Sequence, residues 1–396
     1  MRVAVLGTQA KDLVNFRGHL LSELAKAGHE AYGLAPEGSE ETAAALARLG
    51  ATFVPIRLDR TGLNPLRELV NAFRLWRQFR RLRLDLLLSY ELKSVVFGTL
   101  AAQVAGVPRR FAMITGRGTT LQGEARGFRE RAVRAVVKRL YRLALPRTHG
   151  VFFQNQDDCD FFGQERMLPA TTPRKLINGS GVDLDHFRVA PLPAPPVTFL
   201  FVGRLLRNKG LREFVEASRL LAARRIPFRS RILGPLDPNP NGIPEAQLKS
   251  WISEGCVEYL GEAKDVRPHL AQAHAMVLPS YGEGTPRSVL EAMAMGRAVV
   301  TTDAPGCRET VQADRNGCLV PVGDAQALAD AMAALAQQPE QIARFGAASR
   351  AVAEAKYDVR LVTAEIMAFL GLHQAAEPGP ALVRMAETQP TESIAP

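Results

Sequence analysis

Residues 283–296 read EGTPRSVLEAMAMG and lie between two short apolar runs, AMVLP at 275–279 and AVVTT at 298–302. Runs of this length, bounded by turn residues, are the pattern of strands buried on both faces of a parallel sheet. Thr285 and Pro286 suit an N-cap and a first helical position, and Gly296 suits a stop, so the spacing predicts a helix over 287–295. The stretch is then a strand, loop, helix, strand unit. Its loop leaves the carboxyl edge of the sheet, where open α/β sheets hold ligands, and its helix start offers unpaired N–H groups to anions. Glu283 precedes the helix and Glu291 lies about one and a half turns into it, so both can accept hydrogen bonds from ligand hydroxyls there. A glutamate before a helix is ordinarily only a charge that suits the dipole; it is the setting that gives this pair weight.

Outward from that unit, strand and helix patterns alternate along most of the chain. Strands are predicted at 2–7, 30–35, 52–56, 85–89, 110–114 and 150–154, with helices at 16–28, 40–49, 66–82, 95–106, 129–145 and 157–162. The run VAPLPAPPV at 189–197 holds four prolines and reads as a linker. A second alternation follows, with strands at 198–202, 228–233, 257–260, 275–279, 298–302 and 317–320. The chain therefore reads as α/β, with two doubly wound, Rossmann-like parallel-sheet domains at 1–188 and 198–355. A cleft between two such domains is the default ligand site. Helix 347–356 and the segment 356–373 follow, and residues 374–396, rich in Ala, Pro, Glu, Thr and Gln without periodicity, are expected to be a disordered tail.

Composition narrows the function classes. A 396-residue chain with 46% hydrophobic and 23% charged residues is long enough for two cores and reads as soluble and globular. No stretch reaches the ~18 apolar residues of a membrane span, the N-terminal run is too short for a secretion signal, and the four cysteines have no metal-type pairing. A cytoplasmic chain with reduced thiols is expected. The formal charge of +10 is uneven: residues 1–190 carry 29 Lys/Arg against 18 Asp/Glu, and the remainder 21 against 22. A basic first half attracts polyanions, whether anionic lipid, nucleic acid or acidic substrate.

After the strand at 198–202 comes Gly203-Arg204-Leu205-Leu206-Arg207-Asn208-Lys209-Gly210. Arg204 and Lys209 at a strand end would neutralise a diphosphate and the charge that develops as it leaves. This stretch, together with Glu283, seven residues and Glu291, resembles the signatures of family 4 glycosyltransferases, retaining enzymes of GT-B architecture. Three further stretches, FFQNQDD at 152–158, NGSGVD at 178–183 and APGCRETV at 304–311, resemble the bacterial branch that adds N-acetylgalactosamine to undecaprenyl-diphosphate sugars. The resemblance covers nearly residues 1–370.

It implies a UDP-sugar donor and a polyprenyl-diphosphate-sugar acceptor, with no metal and no cofactor. Glu283, Arg204 and Lys209 would be catalytic, and Gly203, Gly261, Gly284, Thr285, Pro286 and Glu291 would bind the donor. Acceptor contacts fall on Asn15, Arg17, Thr115 and Gly116, which follow strands of the first domain. Here the chain departs from the family, because Thr119-Thr120 replaces an aromatic and the first loop lacks a Gly-Gly pair. The segment 356–373 would cross back to the first domain. Two basic amphipathic stretches, 66–84 and 109–147, would hold the enzyme on the inner face of an anionic membrane. The alternatives are a GT-B nucleotide-sugar 2-epimerase and a nucleic-acid-binding protein; the latter needs aromatic platforms or a recognised module, and neither is present, so no nucleic-acid partner is expected.

Overall fold

β1 (Arg2–Leu6) is flanked by β2 (Glu30–Pro36) and β4 (Leu86–Tyr90), with Val3 opposite both Ala31 and Leu86. The computed structural model describes residues 1–58, 65–123, 127–239 and 241–372. β3 (Ala51–Ile56), β5 (Arg109–Ile114), β6 (Gly150–Phe153) and β7 (Arg174–Leu176) complete a seven-stranded parallel sheet in the order β3-β2-β1-β4-β5-β6-β7. The second sheet holds β8 (Val197–Val202), β9 (Phe228–Leu233), β10 (Glu258–Tyr259), β11 (Ala275–Leu278), β12 (Ala298–Thr302) and β13 (Gly317–Val320). Its order, β10-β9-β8-β11-β12-β13, repeats the first. Both sheets are doubly wound, as the alternation required.

Each sheet reverses its winding once, between β1 and β4 and between β8 and β11. At such a switch point the flanking loops diverge to opposite faces and leave a crevice at the carboxyl ends of the strands. β4, β11 and β12 are buried at every position, which is why they read as predominantly apolar runs without polar alternation. Helix Val359–Leu370 lies on the first sheet, where Val362, Ile366, Met367 and Leu370 share a core with Leu13, Leu20, Leu21 and Leu24. Each such aliphatic side chain contributes roughly 1.5–3 kcal/mol on burial.

Several local expectations are corrected. The first helix runs Ala10–Lys26 instead of starting near 16, because Ala10 and Leu13 extend the buried stripe into what read as a loop. Asn15 is therefore helical, as Arg17 was already expected to be. Helix Arg287–Ala294 has Pro286 in the N-cap position, and the Thr285 hydroxyl donates instead to the Gln154 carbonyl at 3.3 Å. A π-helical turn, Ser94–Gly98, precedes helix Thr99–Ala105. Helix Pro339–Val352 starts well before 347. β7 went unread because three residues at a sheet edge, none of them buried, carry no alternating pattern. The proposed tail at 374–396 lies outside the described residues.

Candidate active site

The two switch points face each other across a cavity of about 890 Å³ whose lining comes from both domains. From the second domain it takes Arg204, Asn208, Lys209, Asp237, Gly282, Glu283 and Gly284. From the first it takes Thr8, Glu91, Lys93, Thr115, Gly116 and Arg117.

Lys209 closes the 3-10 turn Arg207–Lys209, and Gly210 follows with φ +73. A Cβ on Gly210 would stand 1.9 Å from the Pro279 carbonyl, so only glycine lets this turn press against the end of β11. That approach sets the Lys209 ammonium against the Glu283 carboxylate as an ion pair. Oε1 of Glu283 also accepts from the Ser280 hydroxyl at 2.8 Å, and the Glu283 amide donates to the Pro305 carbonyl at 2.9 Å. Arg204 is half-exposed and paired with Asp237 at 2.8 Å. The Asp237 carboxylate in turn accepts from the Asn239 amide at 2.9 Å, which fixes the loop beyond β9.

The acidic loop is clamped by the first domain. The Asn155 side-chain amide donates to the carbonyls of Glu283 at 3.2 Å and Gly284 at 2.9 Å, while its Oδ1 caps the following helix through the Asp158 amide. Gln122 donates to the Gly282 carbonyl at 3.1 Å and accepts from Asn208 at 3.1 Å. Arg308 and Asp157 form an ion pair across the domains at 2.7 Å. A Cβ on Gly284 would meet the Gln154 Oε1 at 2.3 Å and the Thr115 carbonyl at 2.4 Å. The sequence motif at 152–158 is thus an interdomain clamp, a role its residue types did not reveal.

Of the residues singled out in the sequence, Arg204, Lys209, Glu283, Gly284, Thr115 and Gly116 line this cavity. Gly203, Gly261, Thr285, Pro286, Glu291, Asn15 and Arg17 lie outside that lining. Glu291 is nearly buried and paired with Arg287 at 3.1 Å. Burial pushes its carboxyl above the usual range, and the guanidinium opposes that shift. The Gly203 amide donates to the Leu233 carbonyl at 3.0 Å, and the Gly261 carbonyl accepts from the Gly234 amide at 2.7 Å; both glycines cross-link strand ends at the carboxyl edge. Arg17 departs furthest from expectation. It is 3% exposed, its guanidinium lies 4.7 Å over the Tyr90 ring, and burial lowers its pKa. The Asn15 carbonyl accepts from Arg287 at 3.2 Å, a contact between domains. Thr8 and Glu91 were missed, because a Thr-Glu pair 83 positions apart carries no local pattern.

A cavity between two Rossmann-like domains, with two carboxylate-paired cations on the second domain's side and a glutamate loop closing it, suits an anionic group beside a polyhydroxyl ligand. Comparisons with known proteins agree. Residues 15–158 match the glycosyl transferase 4-like domain and residues 196–338 match glycosyl transferases group 1. Over 378 residues the chain is 29% identical to a Campylobacter jejuni N,N'-diacetylbacillosaminyl-diphospho-undecaprenol alpha-1,3-N-acetylgalactosaminyltransferase, covering 91% of this chain and 96% of that one. It is 30% identical to the Erwinia amylovora amylovoran biosynthesis glycosyltransferase AmsK, over 52% of this chain and 53% of that one. HepE of Anabaena, solved in complex with UDP, superposes with a TM-score of 0.72 at 18% identity, covering 94% of this chain and 100% of HepE. Two domain models in this order, on this pair of sheets, make the chain a member of the glycosyltransferases with the GT-B fold.

Proposed function

We propose that this chain transfers a hexose or N-acetylhexosamine from a UDP-sugar to an undecaprenyl-diphosphate-linked sugar, with retention, in the assembly of a cell-surface polysaccharide or glycan. The observation that carries this reading is the convergence of Lys209, Arg204 and Glu283 on one interdomain cavity. In the reaction the bond from the sugar's anomeric carbon to the diphosphate oxygen breaks, and UDP leaves with the electron pair. The acceptor oxygen bonds to that carbon and gives up its proton to the departing diphosphate oxygen. Negative charge grows on the diphosphate during this step, so fixed cations favour the transition state over the ground state. Lys209 and Arg204 supply them. Each is neutralised by a carboxylate, Glu283 and Asp237 respectively, so the donor diphosphate takes over these cations from their protein partners.

Glu283 then accepts from hexose hydroxyls, and Glu291 holds the ribose. Gly203 and Gly261, on either side of the end of β9, would present backbone to the uracil. The scheme calls on no metal, because Lys209 and Arg204 meet the charge on the leaving diphosphate. The Campylobacter relative's named acceptor supports a lipid-diphosphate acceptor here, and the UDP in HepE supports the donor.

The acceptor's lipid implies a membrane surface, and the first domain supplies the chemistry to meet it. Helix Pro65–Leu82 exposes Leu69, Val70 and Phe73 beside Arg74, Arg77 and Arg81. Helix Phe128–Ala144 exposes Phe128, Val136 and Leu143 beside Arg129, Arg131, Arg139 and Arg142. These apolar and cationic faces suit the inner, anionic leaflet of the cytoplasmic membrane. No helix among the described residues is long and apolar enough to cross a membrane.

The test is incubation with UDP-GlcNAc, UDP-GalNAc, UDP-Glc and UDP-Gal, each with and without undecaprenyl-diphosphate sugars and with EDTA present. Lipid-dependent sugar transfer is the expected result; release of an epimerised nucleotide-sugar without lipid would contradict it.

A further inference from the structure

Glu91 stands directly after β4, at the first domain's switch point, in the left-handed region with φ +67. Among the described residues five other non-glycine residues have positive φ, and three of them, Arg83, Arg166 and Arg225, sit just beyond helix ends, where that conformation is routine. Glu91 has no such excuse: it turns the chain from a buried strand toward a helical segment. A β-carbon in this conformation is a steric liability that glycine would avoid. Yet the position holds a carboxylate, and the carboxylate lines the same cavity as Lys209 and Glu283.

Its orientation is secured from β1. Thr8 donates to Oε2 of Glu91 twice, from its amide at 2.9 Å and from its hydroxyl. Both bonds go to one oxygen, and no hydrogen bond from a described residue engages Oε1. The cations of the first domain's side of the cavity have carboxylates of their own, Arg117 with Asp158 at 2.7 Å and Lys93 with Glu68. The buried Arg17 guanidinium lies within electrostatic reach of Glu91, and the carboxylate itself lines the ligand space. A carboxylate repels a diphosphate and accepts from hydroxyls. The second domain's side, with Arg204 and Lys209, takes the anionic part of the donor, which leaves Glu91 facing the other substrate.

We infer that Glu91 binds the acceptor: its carboxylate accepts a hydrogen bond from a hydroxyl of the acceptor's terminal sugar and fixes that sugar's approach to the anomeric carbon. This rests on the glycosyltransferase reading above and names the group that its acceptor half requires. Backbone strain maintained at a ligand-facing residue is the pattern expected when function opposes stability.

Glu91→Gly relieves the strain and removes the carboxylate together, and Glu91→Gln keeps the shape without the charge. Wild type and both variants are compared with the UDP-sugar and undecaprenyl-diphosphate sugar that wild type uses, alongside UDP binding and thermal melting. Glu91→Gly is expected to melt no lower than wild type and to bind UDP as wild type does. Its KM for the lipid-linked acceptor should rise at least about tenfold while the donor KM is unchanged, with Glu91→Gln in between. An unchanged acceptor KM in Glu91→Gly overturns the inference, as does a lowered melting temperature with acceptor and donor KM raised alike, the sign of a merely structural carboxylate. Wild type that fails to bind UDP defeats the underlying glycosyltransferase reading instead, which keeps the two failures apart.

Discussion

The Lys209 ammonium and the Glu283 carboxylate, 74 residues apart in sequence, form an ion pair at the wall of the interdomain cavity. Both side chains are mostly shielded from solvent, so removing either partner leaves the other charge in a poor environment. The pair reads as a resting arrangement in which each group occupies the other until substrate arrives.

Lys209→Ala is accordingly expected to lower kcat by roughly 100- to 1000-fold, the loss typical when one donor to a developing anion is removed. Melting temperature should fall, because Glu283 loses its counter-ion, but the turn itself should persist, held by the Arg207 amide on the Asn241 carbonyl and the Gly210 amide on the Arg207 carbonyl. Steady-state kinetics with circular dichroism on the same preparation checks both statements. Retained kcat would remove Lys209 from the reaction.

Gly284→Ala tests the clamp. The added methyl carbon would need room now filled by the Thr115 carbonyl and the Gln154 side chain, so the two domains must separate. Displacement of reacting groups by about 1 Å costs on the order of 100-fold in rate. Activity should fall by that order while each domain's own core stays intact, and small-angle scattering should report a wider particle.

A pH effect follows from His274, whose Nδ1 accepts from the Thr198 amide at 3.0 Å at the start of the second sheet. Burial holds its pKa below the ordinary value of 6.5. Above pH 6.5 folded and unfolded forms are both neutral there, and the stability is fully present. As pH falls below 6.5 the unfolded chain takes up a proton that the folded chain resists, so stability is lost on acidification. Chemical denaturation from pH 7.5 to 5 should show this decline, and His274→Gln should flatten it while being less stable at neutral pH.

Much of the architecture was legible because it rests on burial. β4, β11 and β12 are covered on both faces, and a covered strand is predominantly apolar, with hydroxyls such as Thr301 bonded to backbone carbonyls. That Arg204, Lys209, Glu283 and Gly284 would meet at one cavity was legible from short loops that follow strand ends together with the family resemblance of those loops. Arg17, expected at the acceptor, sits on a helix that stacks it over Tyr90, a partner 73 positions away. Glu91 and Thr8 meet through the pairing of β1 with β4, and the clamp at Gln154 and Asn155 depends on how the two domains meet; no local pattern encodes either. The same holds for Thr285, whose hydroxyl serves the interface instead of capping its own helix.

The membrane surface gives a salt-dependent prediction. Replacing Arg74, Arg77 and Arg81 with Ala removes three exposed cations from one helix face. At about 1 kcal/mol each, partition onto vesicles containing anionic lipid should fall by roughly 100-fold, and 0.5 M salt should erase most of the difference. Sedimentation with such vesicles measures it. Turnover of a water-soluble acceptor analogue should be untouched.

The most direct test is Glu283→Gln, which keeps the side chain's size and its bond from Ser280 but removes the charge. Sugar transfer from the UDP-sugar to the undecaprenyl-diphosphate sugar is measured beside UDP affinity. Transfer should drop by about 100-fold or more while the affinity for UDP, which lacks the hexose, stays within a few-fold of wild type. Transfer at the wild-type rate by Glu283→Gln would contradict the placing of Glu283 at the donor sugar.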